Sequence, residues 1–232
     1  MSSAPDSVAA RLAAVRARID AAARAAGRDP SSVTLVAVSK TQPAEAIREA
    51  YAAGQRDFGE NYAQELAAKH AALADLEGLR WHFIGALQRN KAKDVTPRAA
   101  MIEAVDRVDL AREIDKRAAA AGRTVEVLLE VNVGGEASKS GAVPADVPAL
   151  VEAVRALPHL ALRGLMTIPP EVDDPADARP FFAALRALAE AHGLRELSMG
   201  MSHDFEAAIA EGATIVRVGT ANFGARSYPA RG

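Results

Sequence analysis

The chain has 232 residues, half of them hydrophobic and a quarter charged, with a formal net charge of −2. That length suits one large α/β domain or two small ones, and near-neutrality gives no electrostatic reason to expect nucleic acid or an anionic membrane as the main partner. Aromatic residues make up only 4%, too few for a base-stacking platform, and the absence of cysteine excludes disulfides, thiol chemistry and cysteine-ligated metals.

The N-terminus, Met1-Ser2-Ser3-Ala4-Pro5-Asp6, has no basic stretch followed by an apolar one, which argues against a signal peptide. No apolar run approaches the roughly 20 residues that span a bilayer. A cytoplasmic protein is the expectation.

In chain order, residues 6–27 read as an amphipathic helix, with Val8, Leu12, Val15 and Ile19 on one face and Gly27 as its stop. Eight short strand candidates follow: Val33–Lys40, Asp57–Asn61, Trp81–Gly85, Met101–Val105, Val125–Val133, Arg163–Met166, Glu196–Gly200 and Ile215–Gly219. Several are near-continuous apolar runs, as expected of parallel strands covered by helices. Helical segments fill the gaps at about 43–53, 62–76, 89–98, 109–121, 145–156, 175–192 and 203–211. In the segment 175–192 the stripe is Phe181, Leu185 and Leu188, with Gly193 as the C-terminal stop.

No linker or low-complexity tract divides the chain, so residues 1–232 are expected to form one domain. No Gly-x-Gly-x-x-Gly follows the first strand, which lowers the dinucleotide-binding reading. Eight β/α units point to a (β/α)8 TIM barrel with an extra N-terminal helix. In that architecture functional side chains sit at the C-terminal ends of the strands.

Lys40 closes the first strand and shares a face with Val36 and Val38, so it should point into the barrel mouth. A desolvated amine there loses basicity, and a neutral amine attacks an aldehyde. A surface lysine that merely marks the strand's end gives the same local pattern. Arg217, Gly219 and Thr220 end the eighth strand, where such barrels often hold phosphate on backbone N–H groups at a short helix start. A glycine turn with an arginine in a structural ion pair fits those residues equally well. An amine and a phosphate cradle at one mouth suggest a ligand with an aldehyde and a phosphate, for which pyridoxal 5′-phosphate is the obvious choice.

Ser202 follows the seventh strand and fits either a helix N-cap or a hydroxyl contact to the phosphate. Asn61 can hydrogen-bond a ligand hydroxyl, and Ile84 can press on a ring. Trp81 and Phe83 are expected in the core, and His82 as a satisfied interior histidine. The five histidines show no metal-ligand spacing, so no metal is expected. Arg89, Lys91 and Lys93 read as a solvated helix face, and the sequence assigns no role to Lys139.

Six stretches in order carry a resemblance: Val36-Ala37-Val38-Ser39-Lys40-Thr41, Phe58-Gly59-Glu60-Asn61-Tyr62, Trp81-His82-Phe83-Ile84-Gly85, Arg163-Gly164-Leu165-Met166, Leu197-Ser198-Met199-Gly200-Met201-Ser202 and Val216-Arg217-Val218-Gly219-Thr220. Together they resemble the pyridoxal-phosphate-binding homeostasis family, similar to the N-terminal domain of alanine racemase. The resemblance implies a fold-type III barrel holding the cofactor as a Schiff base on Lys40. It implies that Arg217 faces the pyridine nitrogen, that Ser202, Gly219 and Thr220 hold the phosphate, and that Asn61 and Ile84 line the ring. His203 stands before Asp204, where the family usually has an acidic residue directly behind the serine.

An arginine beside the pyridine nitrogen disfavours its protonation and makes the ring a weaker electron sink. The chain ends at Gly232, with no room for the second domain of alanine racemase. The expectation is therefore a monomeric protein of vitamin B6 and amino-acid homeostasis that holds the cofactor, with pyridoxal-phosphate-dependent apoenzymes as recipients and no residue assigned to catalysis. One alternative is a single-domain racemase, for which Tyr62 and His82 are the candidate second bases. Another is a Schiff-base aldolase for a phosphorylated sugar.

Overall fold

A computed structural model of the chain describes residues 7–224. The first helix, α1 (Val8–Ala25), begins where the Ser7 side chain accepts from the Ala10 N–H at 3.1 Å. The expected start at Asp6 lies outside the described residues. Val8, Leu12, Val15, Ile19 and Ala23 are its buried stripe, and Gly27 ends the segment in a left-handed conformation at φ +68°.

The strands are β1 (Thr34–Val38), β2 (Asp57–Glu60), β3 (Arg80–Phe83), β4 (Met101–Val105), β5 (Val125–Glu130), β6 (Leu160–Met166), β7 (Glu196–Ser198) and β8 (Ile215–Val218). They close into a parallel barrel in sequence order, with β8 pairing back on β1 through Thr34↔Ile215 and Val36↔Arg217. The intervening helices are α2 (Ala44–Ala52), α3 (Ala63–Ala72), α4 (Ala92–Val95), α5 (Val108–Ala120), α6 (Val147–Arg155), α7 (Arg179–Ala191), α8 (Phe205–Ala210) and α9 (Thr220–Phe223). The fold is the expected (β/α)8 barrel. The extra helix α1 packs on α2, α8 and α9, so it covers the seam where the last strand meets the first.

The period-2 alternation of the strands separates two apolar clusters. Val36, Met101, Leu128, Met166 and Ile215 form a small one inside the barrel. The larger one joins outward residues such as Leu35, Phe58, Trp81, Ile102 and Val216 to the helix faces. Trp81 and Phe83 belong to this outer core, with Trp81 6.0 Å from the Phe58 ring.

Several boundaries differ from the sequence reading. The strand before Lys40 ends at Val38, because the chain turns at Ser39 to reach α2. The segment 89–98 is a single 3-10 turn at Arg89–Lys91 followed by the short α4, with Pro97 next to its end. In α7 the buried stripe is Phe182, Leu185 and Ala189; Phe181 is half-buried, one position off the face that meets the barrel.

Candidate functional site

Lys40 lies two residues beyond β1, half-buried in the turn Ser39-Lys40-Thr41-Gln42. The turn is braced from three sides. Ser39 N–H donates to the Gly59 carbonyl at 2.9 Å, and Gln42 N–H closes on the Ser39 carbonyl at 3.0 Å. Lys69 on α3 donates from Nζ to the same Ser39 carbonyl and to Glu60 Oε1, each at 2.7 Å, and to Glu65 Oε2 at 3.0 Å. Thr41 N–H donates to Glu65 Oε2 at 2.8 Å.

Thr41 itself has φ +63°, a left-handed conformation that a β-branched residue adopts only when its surroundings impose it. The strain sits directly after Lys40. Burial pushes the Glu60 carboxyl up to about 7, against the pull of Lys69 and the Ser39 hydroxyl. Burial also pulls Glu65 upward, but the Thr41 N–H and Lys69 outweigh it and hold it below its ordinary value.

Arg217 on β8 is buried at 4% exposure inside the barrel. Its Nη1 donates to Ser198 Oγ at 2.6 Å and its Nη2 to the Thr167 carbonyl at 2.8 Å. Burial lowers the Arg217 pKa, opposed by the charges of Glu103, Glu130 and Asp204. Beyond Arg217, Gly219 lies beside Val38, whose carbonyl oxygen would be 3.4 Å from a Cβ at that position. Thr220 opens α9 and is exposed. The Gly219 carbonyl accepts from the Asn222 and Phe223 amides, so only the Thr220 and Ala221 amides of this short turn precede the helical hydrogen bonds.

Ser202 is half-buried in the loop after β7 and is not the cap of the following helix. That helix starts at Phe205 with Asp204 in the N-cap position, and Asp204 Oδ1 accepts from the Met201 N–H at 2.6 Å. The carboxylate takes the turn that a serine cap at 202 would have made. Gly200 precedes it at φ +91°, where a Cβ would lie 2.6 Å from Ala208 Cβ.

Asn61, Ile84, Gly85, Glu130, Lys139 and Ile168 are among the residues lining a cavity of about 300 Å³ at the C-terminal mouth. Asn61 Oδ1 is buried without a hydrogen-bond partner, and so is Thr41 Oγ1. Gly85 allows the two strand ends to touch: a Cβ there would lie 2.3 Å from the Asn61 carbonyl oxygen. Burial, with Asp106 nearby, raises Glu130 to about 7 against the opposing charge of Arg217. Lys139 is tied to the Pro169 carbonyl at 2.8 Å and to Glu136. Arg89 and Lys93 are exposed and Lys91 is half-buried, a solvated face as expected.

The β1–β8 pairing sets Arg217 opposite Val36 and brings Gly219 against Val38, two residues before Lys40, while Asn61 and Ile84 line the cavity at the mouth. Ser202 sits on the loop between β7 and α8, and Thr220 at the start of α9, directly after β8.

The sequence reading missed a polar chain in the interior. Ser198 Oγ donates to Glu103 Oε2, Glu103 Oε1 meets His82 Nδ1 at 2.7 Å, and His82 Nε2 meets Asp57 Oδ1 at 3.0 Å. His82 is fully buried and satisfied, as expected, but by two carboxylates. Burial would lower its pKa; the hydrogen bonds to Asp57 and Glu103 outweigh this and raise it to about 9. Burial likewise works against the Glu103 charge, and His82, Arg217 and Ser198 reverse that to hold its pKa below the ordinary value. The available signal was a lone charged residue inside an apolar strand, as in Met101-Ile102-Glu103-Ala104-Val105.

The sequence model of a family described as "Alanine racemase, N-terminal domain" matches residues 10–227. The pyridoxal phosphate homeostasis protein of Pseudomonas aeruginosa is 55% identical over 225 residues, covering 96% of this chain and 97% of that protein. The chain belongs to the pyridoxal phosphate homeostasis protein family. Among solved members, PipY of Synechococcus elongatus without PLP superimposes with a TM-score of 0.85 at 43% identity, covering 94% of this chain and all of that one. PipY with PLP bound gives 0.82 at 42% identity over the same share of each chain.

Proposed function

We propose that this protein binds pyridoxal 5′-phosphate at the C-terminal mouth of its barrel and acts in the homeostasis of that cofactor, holding it for transfer to apoenzymes. The observation that carries the reading is the braced Lys40 turn at the end of β1, the strand that pairs with β8 and meets Gly219 at Val38. The kinship with homeostasis proteins, one of them solved with PLP, supports it.

The residues fit the cofactor. Lys40 offers the amine an aldehyde requires. The orphaned Asn61 Oδ1 is an acceptor for a ligand hydroxyl, and Ile84 beside it is an apolar wall for a ring. The Ser202 and Thr220 hydroxyls, with the Thr220 and Ala221 amides, suit a phosphate. Arg217 suits the pyridine nitrogen, towards which it brings a permanent positive charge. When bound, the cofactor supplies an electrophilic aldehyde and an electron-accepting ring.

Holding suits this site better than turnover. The candidate second bases of a racemase are poorly placed: Tyr62 is 56% exposed, and both ring nitrogens of His82 are committed to carboxylates. The large apolar side chains exposed among the described residues are Tyr62, Val143, Ile168 and Met201, on loops that follow β2, β5, β6 and β7. Of these, Ile168 and Met201 line one cavity beside the mouth. The chain works as a single-domain monomer in the cytoplasm; no described helix is long and apolar enough to cross a membrane.

The test is transfer. Cofactor-loaded protein is mixed with an excess of an apo-transaminase, with a scavenger present to remove free pyridoxal phosphate. Recovery of transaminase activity despite the scavenger is expected. Rapid conversion of L-alanine to D-alanine by the loaded protein, lost in Lys40→Ala, would contradict the holding role.

A further inference from the structure

With Glu103 and Asp57 ionised, the donors and acceptors along the interior chain admit one arrangement. Arginine has no acceptor, so Ser198 Oγ must accept from Arg217 Nη1, and its single proton then goes to Glu103 Oε2. The remaining Glu103 oxygen and Asp57 Oδ1 are both acceptors facing the two nitrogens of His82. Every contact is satisfied only if both ring nitrogens carry protons, which makes His82 an imidazolium between two carboxylates. Its raised pKa, about 9, agrees with that count.

The groups that face His82 are few. Glu103 reaches it from β4 and Asp57 from β2. Arg80, on its own strand, reaches the same Asp57 Oδ1 from Nε at 3.3 Å and lies 3.7 Å from Glu126 on β5. Arg163 on β6 pairs in turn with Glu126 at 2.9 Å. Arg217 comes from β8 through Ser198 on β7.

Asp57, Arg80, His82, Glu126 and Arg163 line a cavity of about 600 Å³ at the N-terminal end of the barrel, away from the mouth that holds Lys40. His82 can therefore exchange its proton through that cavity, while Arg217 stays sealed above it.

We propose that His82 and Glu103 are positioning residues that fix the Arg217 guanidinium through Ser198, and that the protonation of His82 sets how firmly Arg217 is held for the cofactor. This rests on the cofactor site proposed above. With the imidazolium present, Glu103 is balanced from both sides and Arg217 keeps its place between Ser198 and the Thr167 carbonyl. When His82 loses its proton, the charge of Glu103 is met by Arg217 alone. The guanidinium is drawn down towards Glu103 and away from the ring nitrogen. Cofactor affinity therefore falls as pH rises through the His82 titration.

Ser198→Ala is the decisive variant, because it cuts the link and leaves both ends in place. Pyridoxal phosphate affinity and the absorption maximum of the bound chromophore are measured from pH 6 to 10 for wild type, Ser198→Ala, Ser198→Thr and His82→Gln. Wild type and Ser198→Thr should share an alkaline inflection. Ser198→Ala and His82→Gln should lose it and bind about tenfold more weakly at neutral pH, the scale of one hydrogen bond to a charged group. A Ser198→Ala protein with the wild-type inflection and affinity overturns the proposal.

A second readout needs no cofactor. The Arg217 side-chain nitrogen resonances of labelled wild-type protein should move with the His82 ring titration, and in Ser198→Ala they should not. If they do, but the wild type takes no pyridoxal phosphate, the coupling stands and the cofactor reading fails. If the Arg217 resonances ignore His82, the coupling fails whatever the protein binds.

Discussion

Lys69 donates from α3 to the carbonyl oxygen of Ser39 at 2.7 Å, so the residue before Lys40 is fixed by an ammonium from a different element. The same ammonium pairs with the fully buried Glu60 at 2.7 Å. Positioning the amine of Lys40 and balancing a buried carboxylate are thus one structural task.

Replacing Lys69 with methionine leaves Glu60 without its cation. Removal of one partner of a buried pair costs about 3–5 kcal/mol. Urea unfolding of Lys69→Met at pH 8, above the Glu60 pKa of about 7, should show a loss towards that scale, with cofactor affinity reduced about tenfold as the Lys40 turn loosens. Adding Glu60→Gln removes the stranded charge, so the double variant should regain stability but not affinity. A single variant as stable as wild type would mean that the pair does not brace the turn.

Gly85→Ala forces a Cβ to within 2.3 Å of the Asn61 carbonyl oxygen. Both partners are backbone at adjoining strand ends, so neither can step aside cheaply. Overpacking of this kind costs about 1–3 kcal/mol. Thermal denaturation should show the loss, and cofactor binding should weaken as Asn61 moves from the mouth. Gly27→Ala is the control: its Cβ meets nothing within 4 Å, so its cost comes from a backbone at φ +68° and cofactor affinity should not change.

Glu130 gives a pH dependence with a defined sign. Its pKa in the folded protein is raised from 4.5 to about 7 by burial and by Asp106. The folded state therefore binds more protons than the unfolded one between those values, and this contribution is full below 4.5 and lost as pH rises through 7. Glu60 behaves in the same sense, also raised to about 7. Urea midpoints of Glu130→Gln should fall less steeply between pH 4.5 and 7 than those of wild type. Equal slopes would place the proton elsewhere.

The barrel was legible because its strands are short apolar runs spaced by helical patterns, and the face that the two-residue period gives Val36 is the one that points into the barrel. Boundaries failed where a neighbouring group decided the local backbone. Ser202 has the composition of a cap, but the helix starts later, at Phe205, after a turn that Asp204 closes by accepting from the Met201 N–H. Phe181 and Phe182 are adjacent and equally apolar, and only the face that α7 turns to the barrel selects Phe182. For the site, the strand ends pointed to Lys40, Asn61, Arg217 and Gly219. Their supports were invisible, because Lys69 meets Ser39 across 30 positions and Ser198 meets Glu103 across 95.

The most direct measurement is borohydride trapping on the purified protein loaded with pyridoxal phosphate, beside Lys40→Ala, followed by mass mapping of the peptides. A near-visible absorption band that disappears on reduction, with the added mass on the peptide containing Lys40 and none in the variant, is the predicted result. A wild-type protein that acquires no band and no added mass, or carries the mass on another lysine while Lys40→Ala loads equally well, would contradict the assignment of Lys40 and the site built around it.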